Sequence, residues 1–253
     1  MAQTPKPGTP SPATLTVLRE DPATRSLVKV ATLPNAQRPA PLGKAGEQVY
    51  AVHFAGSRAY VVTFRRTDPL YVLDLSNPAD PKTVGELEMP GFSDYLYPVA
   101  DGRLLGIGKG ATDTGLQQGL KFALFDVSDP AQPRMLASLA MGERGSASAL
   151  DSSRHGINLL TQGGRTRVAL PVHIWETING TVRPSYQGLA RLEVDSAAGT
   201  ITEHPLVLAT RFDGTTDDTT RYARFNLANE RAVQTTQGSY YLSGGSVTYT
   251  PAP

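Results

Sequence analysis

The stretch Leu70-Tyr-Val-Leu-Asp-Leu-Ser-Asn-Pro-Ala-Asp-Pro-Lys-Thr-Val-Gly-Glu-Leu-Glu-Met89 returns, edited, as Phe122-Ala-Leu-Phe-Asp-Val-Ser-Asp-Pro-Ala-Gln-Pro-Arg-Met-Leu-Ala-Ser-Leu-Ala-Met141. Asp74 and Asp126 mark the same point in the two copies, 52 residues apart, and Asp, Ser, Pro, Ala, Pro, Leu and Met recur at fixed offsets. A repeat of this length belongs to propeller blades, solenoid turns or arrays. Each copy reads as a strand, a turn and a second strand. In the turn, Ser76 and Asn77, or Ser128 and Asp129, are placed to accept backbone N–H bonds, and Pro78 or Pro130 presets φ. Pro81 or Pro133 then stops further pairing ahead of the second strand, which suits a strand at the edge of a sheet.

Working outward, Gln48 to Phe54 and Ala59 to Phe64 form a hairpin around a tight turn at 55–58, and adding the 70–89 pair makes four strands. The next unit repeats the order: Tyr95 to Val99, a tight turn at 100–103, Leu104 to Gly108, and the 122–141 pair. A third, looser unit covers 157–208, and 231–250 supplies three final strands. Leu15 to Leu33 reads as strand, turn and strand around Asp21, 53 residues before Asp74, so the chain begins inside a blade. Residues 1–13 contain four prolines and read as a disordered tail. Helical periodicity is nearly absent, and 20 prolines and 24 glycines punctuate the chain at turn spacing. The fold expected is all-β: a β-propeller of four-stranded antiparallel blades, with complete blades at about 47–90, 91–142 and 143–209 and partial blades at 14–46 and 210–253.

Lysine plus arginine (24) nearly balances aspartate plus glutamate (23), so no large field draws the chain to nucleic acid or anionic lipid. The absence of cysteine excludes disulfides, thiolate nucleophiles and cysteine-ligated metals. No apolar run approaches the roughly 18 residues of a membrane-spanning helix, so no membrane insertion is expected, and the N-terminus shows no basic-then-apolar secretory pattern.

Several separated motifs occur together in order: Gly46-Glu-Gln-Val-Tyr, Arg58 to Leu70, Asp74-Leu-Ser-Asn-Pro, Pro90 to Leu96, Gly106-Ile-Gly-Lys109, Leu120 to Pro130 and Arg144-Gly-Ser146. In these the chain resembles the bacterial and archaeal secreted β-propeller family, whose repeats are similar to LVIVD repeats and distantly to WD40 blades. The resemblance is dense from about 46 to 160 and thin beyond. It implies the C-terminal portion of a larger propeller and an extracytoplasmic location, periplasmic or secreted. Tyr97 stands where the family carries histidine, and Ala147 and Ala149 stand where it is more polar or acidic. No established reaction comes with the family.

In a four-stranded up-and-down blade, the connections between strands two and three, and from strand four to the next blade, emerge on one face. All the long connections fall there: 65–69, 90–94, 109–119, 142–154, 176–187 and 210–230. The opposite face has only tight turns. Long loops on a rigid scaffold are the usual place for binding, so the candidate ligand-binding residues are Arg65, Arg66, Asp68, Tyr95, Lys109, Arg144, Ser146 and His155. Each has a plainer alternative. Arg65, Arg66 and Asp68 also read as an inter-blade ion pair. Ser146, Asp151 and His155 invite a nucleophile–acid–base reading but lack the Gly-x-Ser-x-Gly elbow, so no catalytic residue is assigned. His53, His155, His173 and His204 lack metal-ligand spacing. Asp213, Asp217 and Asp218 are close enough for a calcium loop but lack the EF-hand pattern. Trp175 and Tyr95 could stack a sugar or belong to the core. The function expected is a non-catalytic binding or scaffold module of the cell envelope, recognising a protein or polysaccharide. The alternative is a hydrolase or metal-dependent enzyme built on the surroundings of Arg65, Asp68, Arg144 and His155.

Overall fold

The architecture comes from a computed structural model, which describes residues 13–64, 68–89, 91–112, 115–212 and 227–252. The strands fall into five antiparallel sheets in chain order. The first sheet pairs β1 (Leu15–Asp21) with β2 (Ser26–Leu33). The second runs β3 (Gln48–Ala55), β4 (Arg58–Phe64), β5 (Asp68–Asp74), β6 (Lys82–Met89). The third runs β7 (Phe92–Ala100), β8 (Arg103–Ala111), β9 (Gln117–Asp126), β10 (Arg134–Met141). In the fourth, β11 (Ala147–Ser148) and β12 (Asn158–Gln162) share one side of β13 (Arg165–Ile178), followed by β14 (Thr181–Asp195) and β15 (Thr200–Arg211). The fifth holds β16 (Arg231–Gln234), β17 (Gly238–Ser243) and β18 (Ser246–Pro251). The second and third are the antiparallel, four-stranded blades expected from the sequence; the fourth has a fifth short strand, and the first and last hold two and three strands among the described residues. Among the described residues no strand pairing joins β1–β2 to β16–β18.

The core lies between sheets, and the period of two assigns each side chain to one seam. In β4 and β5, Tyr60, Val62, Leu70 and Val72 pack toward Leu96, Leu104 and Phe125 of the next sheet. The alternate residues Ala59, Val61, Tyr71 and Leu73 pack back toward Leu33 and Leu42. In β9 the split is Ala123 and Phe125 one way, Leu120, Phe122 and Leu124 the other, against Val168, Leu170 and Ile174. Strands two and three of each blade are therefore apolar on both faces, which is why they read as continuous hydrophobic runs. The outer strands β6 and β10 alternate between exposed and half-buried residues until Met89 and Met141 turn into the core.

The repeated aspartate closes the turn to the outer strand. Asp74 Oδ1 accepts the Ser76 N–H at 2.9 Å; Asp126 Oδ1 accepts the Ser128 N–H at 3.1 Å and the Ser128 hydroxyl at 2.6 Å. Asn77 and Asp129 accept the N–H groups of Ala79 and Ala131, as expected. The serines are the difference: their backbone N–H donates to the aspartate, because that carboxylate already sits at the strand end. Asp21 and Asp195 do the same for Ala23 and for Ala197 and Ala198, so four sheets share the device.

A second periodic contact crosses between sheets. The residue after each aspartate donates its N–H to the tight turn of its own sheet: Leu75 to Ser57, Val127 to Gly102, Ser196 to Gly164. Its carbonyl accepts an arginine from the sheet before, Arg58 Nη1 to Val127 O at 3.1 Å and Arg103 Nε to Ser196 O at 3.4 Å. Gly85 permits close approach at the same seam, since a Cβ there would lie 2.1 Å from Pro130 O.

The fourth sheet departs from expectation at 176–187, read above as a long connection. β13 and β14 run through it and turn at Asn179-Gly180, with φ of 53° and 76°. Asn-Gly between alternating residues is the strongest short hairpin signal, and the positive φ at both positions is what a type I′ turn requires.

Candidate functional site

Where the second, third and fourth sheets meet, a cleft of about 420 Å³ opens between Tyr50, Phe92, Asp94, Tyr95, Lys109, Gln117, Leu150 and Asp151. Local sequence explains how each side chain arrives. Gly108 sits so close to β7 that a Cβ would lie 2.1 Å from Phe92 O, and the strand bulges between Ser93 and Tyr95. A bulge re-aims side chains, and here it accompanies Asp94 and Tyr95, which both line the cleft although adjacent in sequence. The third wall is a helical turn, Ala149–Asp151, inserted between β11 and β12; it buries Leu150 and brings up Asp151. Tyr50 comes from β3, its ring 4.8 Å from that of Phe92.

The charges are unevenly matched. Lys109 Nζ donates to Ser146 O at 2.7 Å and to Asp151 Oδ2 at 3.0 Å, so it is tied to one carboxylate and one carbonyl. The Ser148 N–H adds a contact to Asp151 at 3.3 Å. The Asp94 side chain makes no hydrogen bond or ion pair among the described residues. Burial and the neighbouring Asp151 push its carboxyl up to about 6, against the opposing pull of Lys109. Tyr95 donates its hydroxyl to Leu150 O at 3.2 Å, and Tyr97 to Arg154 O at 3.5 Å. Burial raises both phenols, so they stay protonated hydroxyls over the ordinary pH range.

Of the residues singled out in the sequence, Tyr95 and Lys109 line this cleft and Ser146 supports it from beneath. Ser146 is buried, and its hydroxyl oxygen accepts the Trp175 N–H at 3.0 Å. His155 and Arg144 are exposed, and His155 contributes a backbone N–H to Ser153 Oγ. With Ser146 engaged by Trp175 and Asp151 by Lys109, no serine–histidine–aspartate relay is assembled. Arg65 and Arg66 lie outside the described residues, as do Asp213, Asp217 and Asp218; Asp68 opens β5, and its side chain also lies outside the description. Sequence reading did not single out Asp94, Tyr50, Phe92, Gln117 or Leu150. The available signal was the Gly106-Ile-Gly108 alternation in β8, which marks a strand pressed closely by its neighbour.

A second polar cluster sits at the seam of the last two sheets. Buried Glu230 accepts hydrogen bonds from Gln187, from the Tyr241 hydroxyl and from Ser243 Oγ at 3.3 Å. Burial pushes the Glu230 carboxyl up, against the opposing pull of the Tyr241 and Ser243 hydroxyls. Its partners satisfy it from both sheets, which reads as a fastening between them.

Stacked antiparallel sheets with a cleft on the long-connection face define a propeller-class scaffold. The chain belongs to the β-propeller domain family, whose model matches residues 2–251. It is 49% identical over 89 residues to an uncharacterised protein of Methanocaldococcus jannaschii, covering 35% of this chain and 14% of that protein. It is 43% identical over 125 residues to one of Archaeoglobus fulgidus, covering 46% of this chain and 19% of that protein. The chain thus spans less than a fifth of these curated relatives. Among solved structures, the cobalt-substituted Synechocystis apocarotenoid oxygenase aligns with 92% of this chain and 55% of its own, at 12% identity and a TM-score of 0.37. A chimera of that oxygenase with RPE65 gives the same values. A likeness at that level carries nothing about this chain's chemistry.

Proposed function

We propose that this chain is a non-catalytic binding or scaffold module of the cell envelope, recognising a protein or polysaccharide through its long-connection face. The observation that carries this reading is the cleft itself: aromatic rings from two sheets beside a half-buried carboxyl, Asp94, that has no hydrogen-bond or ion-pair partner among the described residues. Aromatic faces with a few convergent polar groups are the usual make-up of a binding site. Tyr50 and Tyr95 offer faces for stacking, while Asp94, Asp151 and Gln117 offer acceptors and donors for hydroxyl or amide groups. The envelope location rests on the resemblance to exported propellers.

Screening a glycan array and immobilised envelope proteins with wild type, Asp94→Ala and Tyr95→Ala tests the proposal. A ligand whose affinity falls about tenfold or more in both variants, as loss of a central contact predicts, supports it. A ligand held equally by both variants overturns it.

One observation favours catalysis instead. Asp94, pushed up to about 6, shares the cleft with Asp151, whose carboxylate accepts a hydrogen bond from Lys109, and a carboxyl tuned toward neutral pH in a cleft is a common general acid or base of hydrolases. Turnover of a bound glycan that disappears in Asp94→Asn would establish this second reading.

A further inference from the structure

On the face opposite the long connections, a second cleft of about 590 Å³ opens between the tight turns 55–58 of the second sheet and 100–103 of the third. That volume is within the usual range for small-molecule sites. The turns are tight because Gly56 and Gly102 take φ of 58° and 64°, and each turn is pinned by an N–H of its own sheet, Leu75 to Ser57 and Val127 to Gly102. Pro98, Leu104 and Val127 supply apolar walls. Two polar groups lining the cleft lack the partners their neighbours have. By register Arg58 lies opposite Asp74 as Arg103 lies opposite Asp126. Arg103 donates to Asp126, to Gly102 O and to Ser196 O. Asp74 instead pairs with Lys82 at 3.5 Å, and half-buried Arg58 keeps one contact, Nη1 to Val127 O at 3.1 Å; its Nε and Nη2 have no partner among the described residues. Tyr60 is 4% exposed, and its hydroxyl makes no hydrogen bond among the described residues. That hydroxyl is not sealed in the core, so it opens to the cleft that the side chain lines.

We propose that this cleft binds a small organic monocarboxylate, Arg58 gripping the carboxylate through Nε and Nη2, the Tyr60 hydroxyl donating to the same group, and the apolar body resting on Pro98, Leu104 and Val127. Arg58 and Tyr60 are two residues apart on β4, so they project from one face of the strand. The Nε–H and Nη2–H fork matches the two oxygens of a carboxylate. A largely buried hydroxyl without a protein partner is costly to leave unmade, and the ligand supplies the acceptor. The remaining charges fix the ligand's own. Arg103, on the other side of the cleft, is matched by Asp126. Asp101, exposed and without an ion pair among the described residues, repels a second negative charge. One unmatched cation therefore suits a monoanion and disfavours phosphate or a dicarboxylate, while the apolar walls favour an organic acid over a bare ion. The site shares no residue with the cleft around Asp94 on the other face.

Saturation-transfer NMR on the full chain tests this with acetate, isovalerate and benzoate as probes. Isovalerate or benzoate is expected to bind with a Kd of about 1 mM, and acetate, which lacks the apolar body, more weakly. Isoamyl alcohol, with the body of isovalerate and no charge, is expected to bind about tenfold more weakly or worse. Arg58→Gln and Tyr60→Phe are each expected to weaken the carboxylate about tenfold. Arg19→Gln, which removes an exposed arginine of β1, is expected to change nothing and sets the level of general anion attraction. Tyr60→Phe deletes one oxygen and keeps the ring packed, so it reports on the site even if Arg58→Gln loosens the seam at Val127. Failure of all three carboxylates to bind by about 10 mM overturns the proposal. So does binding that survives both variants, isoamyl alcohol held as tightly as isovalerate, or inorganic phosphate displacing isovalerate at equal concentration.

Discussion

Asp126 and Asp94 show what environment does to one side-chain type. Ser128, then Arg134 and Arg103, hold the Asp126 carboxyl well below the usual carboxylate range. A depressed folded value means that its contribution to stability is present above about pH 4 and is lost as pH falls toward the folded value. Asp126→Ala is therefore expected to cost about 2–3 kcal/mol at neutral pH in urea denaturation, with the gap to wild type closing in acid. Asp94 has the opposite sign. Its raised value means that ionisation opposes the folded state as pH rises from about 4 through about 6. Asp94→Asn is expected to stabilise the protein by about 1 kcal/mol at pH 7.5, after discounting for solvent screening, and to be neutral near pH 4. A destabilised variant at pH 7.5 would show that the carboxylate has a partner it needs. Asp126 was legible because its turn repeats that of Asp74. Asp195 performs the same task before Ser-Ala-Ala-Gly, with no proline to announce it. Asp94 could not be read locally, since Leu150 and Asp151, which enclose it, lie more than 50 residues later.

At the level of the element, strands and turns were legible wherever composition and period agreed, as in β4, β5 and β9, and misread where the strands simply continued. The 176–187 segment holds Glu, Thr, Asn and Arg, which suggest a loop, but Asn179-Gly180 joins two alternating runs whose pairing extends the hairpin beyond the sheet. The glycines divide by what surrounds them. A Cβ at Gly85 would collide with the Pro130 carbonyl and Pro133 Cδ, both on the rigid turn of the next sheet. Gly85→Ala is expected to cost about 2–4 kcal/mol by prising that seam apart. Gly56 has a φ of 58° and open space, so Gly56→Ala is expected to cost only the backbone term of about 1 kcal/mol. Chemical denaturation of the two variants side by side checks the ranking; equal losses would mean the seam yields.

Across the whole molecule, protection is expected to follow burial rather than position in the blade. Amides of β8, β9 and β13, enclosed on both faces, should exchange slowest. Those of β1, β2 and β18, which among the described residues have a sheet on at most one side, should exchange fastest. Hydrogen exchange resolved by peptide reads this directly. Fast exchange in β9 together with slow exchange in β18 would contradict the stacking order.

The arginine contacts from Arg58 to Val127 O and from Arg103 to Ser196 O each reach one sheet ahead and no further. Coupling is therefore between neighbours only. Each of these two joints needs only a guanidinium on one sheet and a turn carbonyl on the next, whatever sheets lie beyond the pair.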